Sequence, residues 1–322
     1  AKCLAYSRKG NASISARSFN NDITRLNEIL LVRLLKDVKR HPVFDAASSG
    51  ITGLSSSTIL QWNHTVGSGN SRLLVVGVSI NNSASQTIAS VTDKGPTDLT
   101  PVNMTKLVGS STNGTSARVE MWYRINPPSG ENNITAALAS GDAATIMVGG
   151  ATSWSNVDQF TPFENNNILS TNTGTGLSTN VGSIPTRTND VVVDTVGIYF
   201  LAGVNSPIGS ASPDPSQTID WSLDAGNSAQ GFRGGGSHKI NASSMSWSVS
   251  TLATPIWAQA AISIKPPTLF SYTFPSGQNY VILIKGNLII NTQLHVPTDS
   301  TVTFIVSGDI IVTQNVGETT TS

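Results

Sequence analysis

The spacing of apolar residues changes near residue 50. Before that point the apolar residues recur at intervals of three and four: Ile23, Leu26, Leu30, Leu34 and Val38. Asn21 or Asp22 would cap the start of this segment, and Pro42 would end it. This spacing predicts one amphipathic helix. Beyond it, short apolar runs alternate with clusters of Gly, Asn, Ser and Pro, which is typical of an all-β protein.

The short apolar runs predict eight strands, at residues 72–80, 87–92, 117–125, 134–138, 144–155, 190–201, 244–250 and 256–265. The run 117–125 has an apolar face (Val119, Met121, Tyr123 and Ile125) and an amphipathic face (Arg118, Glu120, Trp122 and Arg124). Three stretches without apolar periodicity are predicted loops: 164–189, 203–216 and 225–237.

The C-terminal segment contains an internal repeat. Residues 281–291 match residues 303–313 at an offset of 22, and Gly286-Asn287 aligns with Gly308-Asp309. Two short strands around such a corner, repeated at this length, predict two rungs of a β-solenoid. Because each rung has an open edge, we expect this edge to be covered by the sandwich, by further sequence or by another subunit.

Together these patterns predict an all-β protein in three parts. Residues 1–49 form a basic N-terminal arm with one amphipathic helix. Residues 50–267 form a two-sheet, jelly-roll-like β-sandwich, and residues 268–322 form a β-solenoid-like repeat tail that need not be complete. The dipeptide Pro266-Pro267 marks the boundary between the last two parts.

Charge is sparse and unevenly placed. Charged residues make up 12% of the chain and the formal net charge is zero, so neither a nucleic acid nor an acidic membrane is an expected partner. Residues 1–45 nevertheless hold nine basic and four acidic residues. This segment is therefore a docking arm, a processed leader or simply a solvated helix.

Two further features bear on location. No uninterrupted apolar stretch reaches the roughly 20 residues of a membrane span, so no transmembrane segment is expected. The only cysteine, Cys3, cannot form an intramolecular disulfide. A polar but weakly charged surface suits an extracellular or cell-surface protein.

Several segments carry a family resemblance: Trp62-Asn-His-Thr-Val-Gly-Ser-Gly, Arg118-Val-Glu-Met-Trp-Tyr, Gly150-Ala-Thr-Ser-Trp-Ser and Trp257-Ala-Gln-Ala-Ala-Ile-Ser-Ile-Lys-Pro. In this order they resemble a β-sandwich module of prokaryotic secreted and cell-surface proteins, similar to concanavalin-like jelly rolls. The resemblance spans residues 55–267, and the tail resembles a repeat that follows such modules. It implies a two-sheet fold and export, and it implies no activity.

Candidate sites for glycans are of two kinds. Seven Asn-X-Ser/Thr sequons offer glycan attachment, at Asn11, Asn63, Asn81, Asn103, Asn113, Asn133 and Asn241. Because the chain is rich in Asn, Ser and Thr, several of these sequons are expected by chance. Trp122 is the tryptophan that we expect to be exposed and to contact a sugar ring, whereas most tryptophans of a sandwich lie in its core.

The sequence predicts no catalytic residue and no cofactor. No acidic residue stands two or four positions from Glu120, so the paired carboxylates of a jelly-roll glycosidase are missing; a glycoside hydrolase-like activity is a minor alternative. The four histidines lack zinc-ligand spacing. Two roles fit six aspartates that lie in or near predicted loops, namely ligands of a structural calcium ion or solvated turn residues. They are Asp93, Asp98, Asp190, Asp194, Asp214 and Asp220.

Two functions from different classes fit these features. The first is an extracellular structural protein of the cell surface, self-assembling into a filament or surface layer through its N-terminal arm or C-terminal strands. The second is a carbohydrate-binding or adhesive surface module. The open edge of the repeat and the basic arm favour the first, with self-association as the expected interaction and glycans as the alternative partner.

Overall fold

The computed structural model describes residues 41–52, 57–81, 86–139, 146–201, 209–226, 230–251, 254–267, 271–273, 276–285, 288–290 and 293–312. The predicted helix, Cys3 and Asn11 lie outside these residues. The chain divides into two compact units, one spanning His41–Pro267 and the other containing Thr268–Ser322. In the described part, regular structure is almost entirely β, with one short 3-10 helix at Asn165–Asn167, and this confirms the all-β prediction.

The described residues of the first unit form four antiparallel sheets, two more than predicted. Sheet I has the order β2 (Ile59–Val66), β9 (Gly130–Leu138), β4 (Ile88–Lys94) and β5 (Val102–Asn103). Sheet II has the order β1 (Val43–Ile51), β10 (Met147–Ser155), β3 (Leu73–Ile80), β8 (Ala117–Ile125) and β6 (Thr105–Lys106), with β7 (Ser111–Asn113) also on β8.

The other two sheets follow in the second half of this unit. Sheet III has the order β11 (Ser170–Thr175), β18 (Ile256–Ile264), β13 (Val191–Leu201), β16 (Gln230–Ile240) and β15 (Thr218–Gly226). Sheet IV has the order β12 (Ser178–Val181), β17 (Met245–Ser250) and β14 (Ser210–Pro213). Strands β11, β12 and β14 form where the sequence predicted loops.

The sheets stack in the order I, II, III, IV, with apolar cores between them. Successive residues of β3 point to different cores: Leu74 and Val76 pack between sheets I and II, whereas Leu73 and Val75 pack between sheets II and III. The core between sheets III and IV contains Val196, Ile198, Phe200, Trp247 and Trp257. Sheets II and III are therefore covered on both faces, which explains why β3, β10 and β18 are buried along nearly their whole length.

The glycine-rich segment 225–237 was predicted to be a loop, and this prediction is wrong, because residues 230–237 belong to β16 inside sheet III. Here glycine makes room for tryptophan: a Cβ at Gly235 would lie 2.7 Å from Trp247, and one at Gly236 would lie 2.3 Å from Trp221. The space left by the missing side chains is filled by indole rings from β15 of the same sheet and from β17 of the facing sheet IV. A glycine run can thus be a strand when large residues pack against it.

The polypeptide chain enters and leaves the first unit at the same end. Strand β1 begins at Val43, opposite Ser155, so residues 43–49 belong to sheet II although the sequence grouped them with the arm. The side chain of Asn156 donates to the carbonyl oxygen of His41 at 2.9 Å. The backbone N–H of Asp158 donates to the carbonyl oxygen of Lys265, the residue after β18, at 3.0 Å.

The second unit contains a two-rung parallel coil. Its strands are β19 (Ser271–Thr273), β20 (Asn279–Ile284), β21 (Leu288–Ile290), β22 (Gln293–His295), β23 (Thr301–Val306) and β24 (Ile310–Val312). β19 pairs with β22, β20 with β23 and β21 with β24, all parallel. Paired residues such as Asn279 and Thr301 are 22 positions apart, as the internal repeat predicts.

Candidate functional site

Three of the seven predicted attachment asparagines lie together on the outer face of sheet I. Asn63 of β2 stands directly opposite Asn133 of β9. Asn103 of β5 pairs with Thr92, whose partner on the other side is Thr135. Asn63 and Asn103 are exposed and Asn133 is half-buried. The sheet thus gathers on one face residues that are far apart in the sequence.

The side chains on this face form an uncharged amide ladder, which we define as Gln61, Asn63, Asn133 and Thr135. Gln61 Nε2 donates to Asn133 Oδ1 at 2.5 Å and to Thr135 Oγ1 at 3.1 Å. Asn133 Nδ2 donates to Asn63 Oδ1 at 2.9 Å. These contacts hold planar hydrogen-bonding groups in fixed orientations at the solvent boundary, an arrangement suited to the hydroxyl groups of a neutral sugar.

The other attachment candidates differ in accessibility. Asn81 is only 4% exposed, which leaves no room for a sugar. Asn113 uses its side-chain N–H groups on the carbonyl oxygens of Gly174 and Trp257, at 2.8 and 3.2 Å. Asn241 is exposed beyond β16.

Trp122 was expected to be exposed, and this expectation is wrong, because its side chain is 7% exposed. It packs in the core between sheets I and II, and Lys106 Nζ lies 5.7 Å from its ring centroid. The cause is the second layer: sheet I covers the face of β8 that a two-sheet fold would leave to solvent. No sugar can stack on this ring in the folded protein.

The charged neighbours of Trp122 on β8 form closed ion pairs. Glu120 is fully buried and receives Arg118 Nη2 at 2.6 Å and Lys106 Nζ at 2.6 Å. The two cationic partners offset the free-energy cost of removing the Glu120 carboxylate from water. Glu120 therefore connects β8 to β6 across sheet II.

A second ion pair closes the end of sheet I. Arg124 Nη1 lies 2.8 Å from Asp93 Oδ2 and 2.7 Å from Asp98 Oδ2. Burial raises the pKa of Asp93 above its usual value, against the opposing effect of Arg124, whereas the hydrogen bond from Arg124 lowers the pKa of Asp98. The guanidinium of Arg124 thus lies between two of the six aspartates that were considered as calcium ligands.

The remaining aspartates considered as calcium ligands also contact donors of the protein. Asp190 accepts the N–H of Arg187 at 2.7 Å. Asp214 accepts the N–H of Ser216 at 2.9 Å. Asp220 Oδ1 lies 2.6 Å from His238 Nδ1.

The most elaborate polar cluster lies between sheets III and IV, around Asp194. Its Oδ1 accepts the backbone N–H and the hydroxyl of Ser237, each at 2.7 Å. Its Oδ2 accepts Trp247 Nε1 at 2.8 Å and Gln259 Nε2 at 2.6 Å. Burial raises the pKa of Asp194 to about 6 although these four hydrogen bonds oppose the shift. The sequence analysis considered Asp194 only as a calcium ligand or a solvated turn residue, because its partners come from three other strands.

His64 occupies the interior between β1 and β2. Its Nδ1 lies 2.9 Å from Ser48 Oγ, and its Nε2 is buried without a partner. Burial lowers the pKa of His64 to about 4, and the nearby charge of Asp45 opposes this only in part. The imidazole is therefore neutral at physiological pH.

Within the part of the chain that the structure describes, no three His, Cys, Asp or Glu side chains are grouped as a metal site would require. None of the helices in this part has the length and hydropathy of a membrane span.

Comparison with known proteins gives weak similarities only. No family model matches the chain, and no curated protein matches it. Among solved structures, the BSP domain of a biofilm associated protein is 8% identical with a TM-score of 0.23, and the alignment covers 70% of this chain and 50% of that one. This chain therefore spans half the length of that domain.

Two further solved structures have similar scores. A partial N-terminal region of an enterococcal surface protein is 6% identical, with a TM-score of 0.24 and coverage of 71% and 86%. The B domain of a biofilm associated protein is 10% identical, with a TM-score of 0.20 and coverage of 70% and 74%. At these TM-scores none of the three establishes a shared fold.

Proposed function

We propose that this protein is an extracellular structural protein of a cell surface, and that it self-associates into a filament or layer through its C-terminal coil. The observation that carries the proposal is the poor burial of the two rungs. Among coil residues whose side chains are described, only Ser300 and Val302 are buried. Val281 is 65% exposed and Ile305 is 54% exposed.

A second copy of the chain is the occupant that fits the rungs best. Each rung repeats the same pattern 22 residues later. Among the described residues β23 pairs only with β20, so its other edge has the spacing to pair with the first rung of another copy. Apolar side chains at the junction would then be removed from water, at about 25 cal/mol per Å². Such a head-to-tail contact uses different surfaces on the two copies and builds a filament unless it closes into a ring.

The test is the molar mass of the full chain by light scattering over a hundredfold range of concentration. We expect oligomers that grow with concentration and that Ile305→Lys shifts to monomer. The matched control is Ile59→Lys, because Ile59 is also 54% exposed on a strand but belongs to the sandwich unit. A wild-type chain that stays monomeric throughout, or two variants that weaken association equally, would contradict the proposal.

A carbohydrate-binding function is the second candidate, and the amide ladder of sheet I favours it. Binding would use aligned amide groups rather than an aromatic platform. The measurement is retardation of the protein in gels that contain neutral polysaccharides. We expect Asn133→Ala to abolish retardation and Asn241→Ala, at an exposed asparagine outside sheet I, to leave it intact. Unchanged retardation of Asn133→Ala would exclude the ladder as the binding face.

A further inference from the structure

The interior of the stack brings a hydroxyl group, a carboxamide and a carboxylate into contact. Thr179 lies on β12 of sheet IV, and Gln259 and Asp194 lie on β18 and β13 of sheet III. Thr179 Oγ1 lies 2.7 Å from Gln259 Oε1, and Gln259 Nε2 lies 2.6 Å from Asp194 Oδ2. Thr179 and Gln259 are fully buried and Asp194 is 3% exposed.

We infer that Thr179 and Gln259 react with each other to form an intramolecular ester that joins sheet IV to sheet III. A bond forms between Thr179 Oγ1 and Gln259 Cδ, and the bond between Gln259 Cδ and Nε2 breaks. The nitrogen leaves as ammonia. The hydroxyl hydrogen of Thr179 supplies the third hydrogen of that ammonia, so the reaction is balanced without an oxidant, a metal or another reagent.

Asp194 is the group that moves this proton. In its acid form it gives a proton to the departing nitrogen, Gln259 Nε2, with which it is already in contact. The hydroxyl proton of Thr179, which is hydrogen-bonded to Gln259 Oε1, passes through that oxygen and restores the carboxyl group of Asp194. Its pKa of about 6 lies close to neutrality, so both the acid and the base form are accessible. Because Asp194 is regenerated, one carboxyl group serves for the whole reaction.

The surroundings hold the reacting groups in place and exclude water. The backbone N–H of Trp247 donates to Thr179 Oγ1 at 3.1 Å, and the indole of the same residue donates to Asp194. Carboxamides are poor electrophiles, and a hydroxyl fixed beside one gains from an effective concentration far above any in solution. Burial also protects the ester product from hydrolysis.

A neighbouring pair provides an internal comparison. Gln217 Nε2 donates to Ser237 Oγ at 2.8 Å, and that hydroxyl donates to the same Asp194. Gln217 Oε1 accepts the backbone N–H of Ser246 at 2.8 Å, which holds the carboxamide with its nitrogen towards the serine. The hydroxyl there contacts the leaving group rather than the carbonyl, so we expect the ester at Thr179 alone.

The experiment is intact-mass spectrometry of the full chain, followed by proteolysis and peptide mapping. We expect a mass lower than that of the sequence by one ammonia, and a cross-linked peptide pair containing Thr179 and Gln259 that hydroxylamine separates. Thr179→Val and Asp194→Asn should both have the full mass of their sequences. Thr179→Ser keeps a hydroxyl and should keep the loss of ammonia.

The control is Thr152→Val, because Thr152 is also a buried threonine hydrogen-bonded to a tryptophan, at 2.9 Å, but has no glutamine partner there. This variant should still lose ammonia. A wild-type mass equal to that of the sequence would overturn the inference whether or not any variant folds. So would a cross-link between Gln217 and Ser237. The result is independent of self-association, because the ester lies inside one copy.

Discussion

The pH dependence of stability should be governed to a large extent by His64. The folded protein holds its imidazole at a pKa of about 4, against about 6.5 in the unfolded chain. Below pH 6.5 the unfolded state binds a proton that the folded state does not. The contribution of neutral His64 to the free energy of unfolding is therefore fully present above pH 6.5 and is lost as the pH falls towards 4. The shift corresponds to about 3 kcal/mol between pH 7.5 and pH 4.

The perturbation that isolates this effect is His64→Gln, because glutamine cannot be protonated but still offers Ser48 a hydrogen-bond acceptor. The assay is urea unfolding followed by tryptophan fluorescence at pH 7.5 and at pH 4. The variant should be less stable than wild type at pH 7.5, and it should lose about 3 kcal/mol less than wild type on acidification. Asp194 also titrates between these pH values, and its effect on the free energy of unfolding has the opposite sign to that of His64. Because this effect is the same in both proteins, it cancels in the difference between them.

A control and a clear failure complete the design. The matched control is His41→Gln, which alters a histidine outside the core, next to the first strand. If the free energy of unfolding falls equally in wild type and in His64→Gln between the two pH values, protonation of His64 is not the cause of the acid destabilisation. The reasoning from burial would then be refuted.

The remaining predictions concern packing and charge. Gly236→Ala places a methyl group 2.3 Å from Trp221 Nε1 and should cost about 1–3 kcal/mol in thermal unfolding, whereas Gly182→Ala meets nothing within 4 Å and should be close to neutral; equal melting temperatures would contradict this. Arg124→Met leaves Asp93 buried without its cation and should cost about 3–5 kcal/mol at pH 7. The cost should fall as the pH is lowered, because burial raises the pKa of Asp93 and favours its neutral form. A loss that does not depend on pH would argue against the charge as its cause.

The strands with regular alternation could be predicted from sequence, and so could the solenoid repeat. Strand β8 begins and ends where its alternation does. The number of layers could not be predicted, because alternation shows which residues share a face but not what covers it. Trp122, Glu120 and Arg124 share the face that was described as amphipathic and on which Trp122 was expected to be exposed. In the structure that face packs on sheet I and its charges are paired.

The chemistry of the candidate sites depends on partners that are distant in sequence. Asp194 contacts Trp247 and Gln259, which lie 53 and 65 positions away, so no local motif marks the cluster. Strand β16 was missed for a related reason. A glycine run reads as a turn unless one knows that Trp221 and Trp247 fill the space that its missing side chains leave.

The shared entry and exit of the sandwich unit has a mechanical consequence. Tension applied through the chain would act on β1 at Val43 and on β18 at Ile264, at the same end of the stack. Since β1 is the outermost strand of sheet II, its hydrogen bonds to β10 would be loaded one after another, as in a zipper, rather than all at once in shear. The first strand would therefore detach at low force and extend the chain before the other strands of sheet II are loaded.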